Sequence, residues 1–257
     1  MLRETIDLEE QAAKLRFENI DVAGKPVKLA VLELPSFYGG PGPDERQSSR
    51  DVADLLARVK EEKAAGLLLD LSRNGGGLLE TSVDIAGLFI QEGGVVAVRN
   101  SFSKVQWLQD RDTRVQYDGP MVVLTSRISA SASEIVAGAL KDYRRAVIAG
   151  DDHTFGKGTV QSMVQLPEDL GAIKVTTALF FRPGGMSTQH EGVTSDVVMP
   201  SIFASDDFGE KHQPYSLPGQ SIAPALDDAG LQAAAKGRKQ PLWPAVTPEI
   251  VSELARR

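Results

Sequence analysis

The chain has 257 residues, of which 42% are hydrophobic and 25% are charged, so it contains enough apolar side chains for a sizeable core. Its formal net charge of −7 argues against a nucleic-acid-binding surface, which would need clustered lysine and arginine. No apolar run approaches the roughly 20 residues of a membrane-spanning helix, and the N-terminus lacks the apolar stretch of a signal peptide.

The chain contains no cysteine, which excludes thiol catalysis, disulfides and thiolate metal sites. Its three histidines, His153, His190 and His212, lie far apart without the spacing of metal ligands. We therefore expect no metal and no other cofactor.

Strands and helices are predicted to alternate in the first half of the chain. Residues 7–18 are charged with scattered apolar positions, which we interpret as an N-terminal segment leading into the fold. β-Rich or continuously apolar stretches predict strands at 27–34, 67–71 and 95–99. Helical spacing of apolar residues predicts helices at 48–64 and 78–91.

The second half continues with a polar hairpin or flap at 100–120 and a strand at 121–125. A serine-rich turn and a helix to about residue 143 follow, and then come strands at 146–149, 162–166 and 172–181. After Pro200 the chain is polar, and helical spacing returns only at 247–257. This order predicts an α/β layered fold with a core at 26–202, an N-terminal segment at 1–25 and a partly helical extension at 203–257.

Two unusual turns follow predicted strands, at 74–77 and 129–133. In α/β sheets, active groups collect where strands give way to helices. The second turn places Ser131 at a helix start, where free backbone N–H groups and the helix dipole favour developing negative charge. The N–H of Ala132 and that of Gly76 or Gly77 form the natural pair of oxyanion donors.

A serine nucleophile needs a base, and no histidine shows a partner pattern for a Ser-His-Asp triad. A Gly-x-Ser-x-Gly elbow is also absent from the sequence. Lys157 is the alternative base, provided that burial lowers its pKa from about 10.4. Gln161 follows four residues later and could hold the neutral amine by a hydrogen bond.

Each of these features also has a purely structural interpretation. A serine at a helix N-terminus is most often a cap, and Ser131 with Glu134 matches the Ser-x-x-Glu pattern of a capping box. Gly-Lys-Gly is a weak signal by itself, and a glycine-rich turn is often an ordinary loop.

Four motifs in a fixed order add to this interpretation: DLSRNGGGL at 70–78, SASASEI at 129–135, TFGKGTVQ at 154–161 and GMSTQHEGVT at 185–194. Together they resemble the C-terminal processing peptidases, most closely the tail-specific protease branch. The resemblance implies that Ser131 is the nucleophile, Lys157 the base and Gln161 the residue that orients the lysine. It also implies an oxyanion site at Ala132 and the glycine turn.

Asp142 matches an acidic position of that family near the site, so we expect it to have a supporting role. The resemblance further implies a ClpP/crotonase-like core with a small β appendage. The expected activity is that of a serine endopeptidase that cleaves unfolded or tagged proteins near their C-termini through an acyl-enzyme. The expected location is the periplasm or another exported compartment.

The sequence departs from this family in three ways. We expect a catalytic core without the usual PDZ domain, so that a PDZ domain or adaptor would come from missing sequence or in trans. Ser195 stands where the family has proline in Gly-Val-Thr-Pro-Asp, and the loop before Lys157 is one residue longer than usual.

Two other function classes share this fold. One is a non-catalytic binding or scaffold protein, and the other is an acyl-CoA enzyme of the crotonase type, which uses a similar glycine-turn oxyanion hole. The presence of Ser131, Lys157 and Gln161 argues against both.

Overall fold

In the computed structural model, the chain folds into two β-sheets with helices packed against them. The structure describes residues 12–40, 42, 45–167, 170–203, 208–226 and 230. The larger sheet has the strand order β1-β2-β3-β6-β7-β10. Its strands are β1 (Lys14–Val22), β2 (Lys25–Glu33), β3 (Gly66–Asp70), β6 (Met121–Thr125), β7 (Val147–Gly150) and β10 (Val197–Val198).

Strands β2, β3, β6, β7 and β10 run parallel, whereas β1 pairs with β2 as an antiparallel hairpin. Parallel neighbours require crossover connections, and helices supply the longer ones. The helices are α1 (Ser48–Glu61), α2 (Leu79–Gly87) and α3 (Ala132–Asp142). Helix α1 buries Val52, Leu56 and Val59, whose spacing places them on one face, and α2 packs between α1 and α3.

The parallel strands bring three of the sequence motifs to one edge of the larger sheet. Asp70 at the end of β3 pairs with Leu124 of β6, and Thr125 at the end of β6 pairs with Gly150 of β7. The glycine turn follows β3, the serine turn follows β6 and the lysine loop follows β7. Because the carboxyl ends of parallel neighbours lie side by side, the three turns meet at this edge.

The smaller sheet is antiparallel and has the order β5-β4-β9-β8. Its strands are β4 (Gly93–Asn100), β5 (Val105–Asp110), β8 (Thr159–Gln165) and β9 (Ala172–Phe181). Strand β8 starts two residues after Lys157 and therefore extends the lysine loop into this sheet. The smaller sheet is the part of the fold that the sequence indicated as a β appendage.

Most predicted elements are confirmed, including the α/β class, and β6 has the predicted bounds. No strand was predicted within the N-terminal segment, whereas Lys14–Val22 forms β1. Leu15 and Phe17 pack against the core and alternate with exposed charged residues, so the stretch carries a short strand pattern that the prediction overlooked. Helix α2 ends at Gly87 rather than at residue 91. The predicted helix at 247–257 lies outside the described residues, and the domain boundaries stay a prediction.

Candidate active site

The serine turn is built by hydrogen bonds from its own first serine. The Ser129 hydroxyl donates to the carbonyl of Leu71 at 2.8 Å and accepts the N–H of Ser126 at 2.9 Å. Two residues later, Ser131 has φ 57° and ψ −111° at the N-terminus of α3. This conformation is rare for a residue with a side chain, and such strain often marks functional positions.

Asn74 fixes the glycine turn against the serine turn. Its side chain is fully buried, accepts the N–H of Gly76 at 2.8 Å and donates to the carbonyl of Leu34 at 2.9 Å. Its carbonyl accepts the Ser133 hydroxyl at 2.8 Å and the Ala130 N–H at 3.2 Å. The sequence pattern singled out this turn but did not identify Asn74 as its anchor.

The two glycines of the turn have different surroundings. A Cβ on Gly76 would lie 3.0 Å from the Ser131 Cβ and 2.9 Å from the Ala130 carbonyl oxygen, so only glycine permits this approach. The Gly76 N–H is already directed at Asn74. Within the described part of the chain, the N–H groups of Gly77 and Ala132 have no hydrogen-bond partner, and both residues line the cleft beside Ser131.

The lysine loop carries Lys157 toward the same cleft. Its Nζ lies 3.4 Å from Oε1 of Gln161 on β8, which is a long hydrogen bond. Lys157 is half-buried and Gln161 is exposed, so the apolar burial expected for a lysine base is only partial. The Phe155 N–H donates to the carbonyl of Ser129 at 2.9 Å and joins the loop to the serine turn.

Residues of the fourth motif lie beneath the lysine loop. Gln189 is fully buried, and its Oε1 accepts the N–H of Gly158 at 2.8 Å. The His190 N–H donates to the carbonyl of Gly156 at 2.8 Å. The motif therefore supports the loop on both sides of Lys157, a role that the sequence alone did not assign.

Glu134 is a second residue whose role sequence reasoning missed, because a capping box was enough to explain it. Its carboxylate is fully buried and does accept the N–H of Ser131 at 2.7 Å, as in a capping box. It also accepts hydrogen bonds from Thr154, Gly156 and Lys157 of the lysine loop. Burial raises the pKa of Glu134 to about 7, although its hydrogen bonds act to lower it.

Asp142 does not reach the cleft. It ends α3, whereas Ser131 precedes the first residue of that helix, and this separation is about 16 Å along the axis. Asp142 binds the Arg182 guanidinium through both carboxylate oxygens and accepts the N–H of Gly184 at 2.8 Å. Asp142 therefore joins the C-terminal end of α3 to the residues that follow β9.

The serine at the family's proline position fastens the longer loop before Lys157. The Ser195 N–H donates to the carbonyl of Asp152 at 3.0 Å, and its hydroxyl donates to the carbonyl of Asp151. Proline has no N–H and could not make the first bond. The two departures from the family pattern thus lie in contact with each other.

The cleft has a volume of about 360 Å³ and brings together most of the predicted site. Ser131, Ala132, Gly77, Lys157 and Gln161 line it, and Gly76 and Asp142 do not. Lys174 of β9 also lines the cleft, a neighbour that the sequence did not predict. Across the described ranges, no cluster of three or more His, Asp or Glu side chains could hold a metal ion, and no helix could span a membrane.

Comparison with known proteins assigns the family. The model of peptidase family S41 matches residues 28–199, which is more than half of the chain. The chain belongs to peptidase family S41. The match includes all three turns and strand β8, so the cleft lies within the part that defines this family of serine-type peptidases.

Curated relatives in this family include proteases named for their action at C-termini. The chain is 40% identical over 232 residues to the tail-specific protease of Haemophilus influenzae, with 88% of the chain and 32% of that protein aligned. It is 35% identical over 190 residues to the carboxy-terminal-processing protease of Bartonella bacilliformis, covering 74% of the chain and 41% of that protein. The chain thus spans about a third to two fifths of these relatives.

A solved structure supports the fold. The photosystem II D1 C-terminal processing protease matches with a TM-score of 0.64 and 29% sequence identity, covering 77% of this chain and 50% of that one. The α/β core with its two sheets is therefore the fold of an S41 peptidase.

Proposed function

We propose that this chain is the catalytic core of a serine endopeptidase that cleaves protein substrates near their C-termini with a Ser-Lys pair. The proposal is carried by one cleft lined by Ser131, Lys157, Gly77 and Ala132, in which the N–H groups of Gly77 and Ala132 have no partner among the described residues. A nucleophile, a base and an oxyanion site are the three requirements of acyl transfer. Family membership and the names of the relatives support the same activity.

In the first half of the reaction, the Ser131 hydroxyl attacks the scissile carbonyl and its proton passes to the neutral amine of Lys157. The N–H groups of Gly77 and Ala132 donate to the oxyanion, and each such donor typically contributes about 3 kcal/mol to lowering the barrier. Lys157 then returns the proton to the leaving amine. An acyl-enzyme on Ser131 remains.

In the second half, Lys157 takes a proton from a water molecule, whose oxygen attacks the acyl-enzyme. The bond from the acyl carbon to Ser131 Oγ breaks, Lys157 returns the proton to that oxygen, and the product leaves with its new C-terminus. Gln161 orients the amine through its side-chain oxygen. Substrate bound over the half-buried Lys157 would exclude water from the amine during the reaction.

Substrates of this cleft would be extended and unfolded. Strand β8, which carries Gln161, lies at the edge of the smaller sheet and has β9 as its described neighbour. An extended tail can pair with such an edge while its scissile bond reaches Ser131. We also propose, from the resemblance alone, an exported location and a PDZ domain or adaptor that recruits substrate.

The test is cleavage of an unstructured protein that carries an N-terminal fluorophore and an apolar C-terminus, with products identified by mass spectrometry. Ser131→Ala and Lys157→Ala should each abolish the appearance of shortened products. Ser101→Ala and Lys60→Ala, which change exposed residues outside the cleft, are the matched controls. Equal cleavage by wild type and both site variants would disprove the assignment.

Lys174 must be tested separately because it lines the same cleft. If Lys174→Ala abolishes cleavage and Lys157→Ala does not, the base is Lys174 and the proposed pair is wrong. A folded wild-type chain that neither cleaves nor reacts with a fluorophosphonate would favour a non-catalytic binding protein.

A further inference from the structure

The carboxylate of Glu134 joins the two segments that carry the proposed nucleophile and base. Its Oε2 accepts the N–H of Ser131 at 2.7 Å and the N–H of Lys157 at 2.9 Å. Its Oε1 accepts the Thr154 hydroxyl at 2.6 Å and the Gly156 N–H at 2.8 Å. The backbone nitrogens of Ser131 and Lys157 are thus held on a single oxygen atom.

The chemistry of these contacts specifies the ionised form of the side chain. All four groups donate, and only a carboxylate offers two oxygens that accept without donating. A glutamine would direct its NH₂ group at two of these donors, whichever way its amide is turned. An aspartate would offer two acceptor oxygens but would lie one methylene short of the lysine loop.

We infer that Glu134 is a positioning residue for the Ser131–Lys157 pair, which its carboxylate holds in register by accepting hydrogen bonds from both segments. This inference rests on the proposed function, but the contacts themselves do not. Hydrogen bonds of this kind to a charged acceptor are stronger than neutral ones. Reacting groups need such support, because a displacement of about 1 Å can lower the rate about a hundredfold.

Burial also makes the ionisation of Glu134 sensitive to pH near neutrality. Desolvation raises its pKa, and this effect outweighs the lowering by the Thr154 hydroxyl and the three backbone N–H groups, so that the net pKa is about 7. Among the described residues, no charged side chain contributes to this shift. The protonated form has a hydrogen on one oxygen and loses at least one of the four bonds, so the pair is best held above pH 7.

The experiment compares wild type with Glu134→Gln and Glu134→Asp. Asp196→Asn is the matched control. Asp196 also accepts a hydrogen bond from a backbone N–H, that of Ile148 at 2.9 Å, and it forms an ion pair with Lys141 of α3. Complete labelling with a fluorophosphonate counts the folded sites. The rate of labelling, the kcat and KM for the unstructured protein, and backbone amide exchange are then measured for each variant.

We expect Glu134→Gln to lower the labelling rate and the kcat per titrated site about a hundredfold with little change in KM. Glu134→Asp should give intermediate values. Amide exchange at Ser131 and at Gly156 and Lys157 should accelerate together in Glu134→Gln. In Asp196→Asn the melting temperature should fall, while kcat per titrated site and exchange at these amides stay as in wild type.

Two results would overturn the inference: a wild-type kcat per titrated site in Glu134→Gln, or unchanged amide exchange in both segments. A wild type that neither cleaves nor labels would instead refute the proposed function. In that case amide exchange still decides whether Glu134 joins the two segments.

Discussion

Ser131 is held in a backbone conformation that its side chain disfavours. Its φ of 57° with ψ of −111° is open to glycine but rare for other residues, and such conformations typically cost about 1–3 kcal/mol. The bond from its N–H to Glu134 and the bond from the Ile135 N–H to its carbonyl hold it there. Ser131 lines the cleft in this conformation, so stability is lost at a residue that the proposed reaction uses.

Replacing Ser131 by glycine should therefore give a more stable protein than replacing it by alanine, the reverse of the usual order. At most positions glycine is less stable than alanine by roughly 0.5–1 kcal/mol, because it loses more entropy on folding. Here we expect Ser131→Gly to exceed Ser131→Ala by about 1 kcal/mol in free energy of unfolding, since glycine relieves the strain. Urea denaturation of the two variants measures this difference in the free energy of unfolding. Alanine as the more stable variant would show that the turn is unstrained.

The raised pKa of Glu134 predicts how stability depends on pH. Burial raises the pKa from 4.5 to about 7, so the folded state binds this proton more tightly than the unfolded state does. The contribution to the free energy of unfolding is thus fully present below pH 4.5 and is lost as pH rises through 7, by about 3 kcal/mol. The folded chain should therefore be more stable below pH 7, where the protonated Glu134 holds the proposed Ser131–Lys157 pair less well.

Urea denaturation of wild type and Glu134→Gln from pH 5 to pH 8 measures this contribution. The free energy of unfolding of wild type should fall relative to that of the variant, which cannot titrate at this position. Parallel curves over this range would mean that Glu134 keeps an ordinary pKa in the folded chain.

At the scale of elements, the Asp142–Arg182 ion pair joins the C-terminus of α3 to the end of β9. The two side chains are only 9% and 17% exposed, in contrast to 59% and 54% for the Arg16–Glu18 pair on β1. Removing one partner of a buried pair leaves an uncompensated charge and typically costs about 3 kcal/mol or more. Exposed pairs contribute roughly 0–1 kcal/mol.

We therefore expect Asp142→Ala to lower the free energy of unfolding by about 3 kcal/mol, and Glu18→Ala to change it by less than about 0.5 kcal/mol. A double-mutant cycle with Arg182→Ala and a second with Arg16→Ala isolate the pair terms. The first should give a clear coupling and the second almost none. Equal coupling energies for the two pairs would mean that Asp142 does not stabilise the fold through its ion pair with Arg182.

Individual elements explain why sequence reasoning succeeded in some places. The strand β6 and the start of α3 were predictable, because a continuous apolar run ends in small residues that cannot continue a buried strand. The order of the motifs then placed Ser131, Lys157 and Gln161 in one site. Strand β1 was missed although Leu15 and Phe17 alternate with charged residues, because Glu18 and Asn19 interrupt that alternation and most of the strand is exposed.

Finer details of the site depend on side-chain contacts between distant segments. The sequence could not decide between Gly76 and Gly77 as the proposed oxyanion donor. In the structure the Asn74 side chain accepts the N–H of Gly76, and this contact is not visible in the sequence. The role of Glu134 was equally hidden, since three of its partners lie 20 or more residues away. A charged residue inside the apolar stretch of α3 was the available signal.

At the scale of the whole molecule, the cleft lies where the two sheets meet. The larger sheet supplies the glycine turn, the serine turn and the lysine loop, and the smaller sheet supplies Gln161. The geometry of the site thus depends on how the sheets are held together. Two sets of contacts fasten the ends of α3. Glu134 binds the lysine loop at the start of the helix, and Asp142 binds Arg182 at its end.

The hairpin of β8 and β9 extends beyond this core and exposes apolar side chains. Met163 is 63% exposed, Leu170 is 72% exposed and Ile173 is 47% exposed. Exposed apolar residues next to a free strand edge promote association between molecules. The net charge of −7 opposes this association in general but does not cover the hairpin itself.

We expect the double substitution Met163→Lys with Leu170→Lys to reduce concentration-dependent association, measured by light scattering, without lowering the melting temperature. These side chains are mostly in water already, so little burial is lost on replacing them. The substitutions also bring the net charge closer to zero, which by itself favours association. Ser101→Lys with Thr113→Lys makes the same charge change at exposed positions outside the hairpin and should leave association unchanged or increase it. Equal scattering by the two double variants would show that the hairpin is not the surface through which molecules associate.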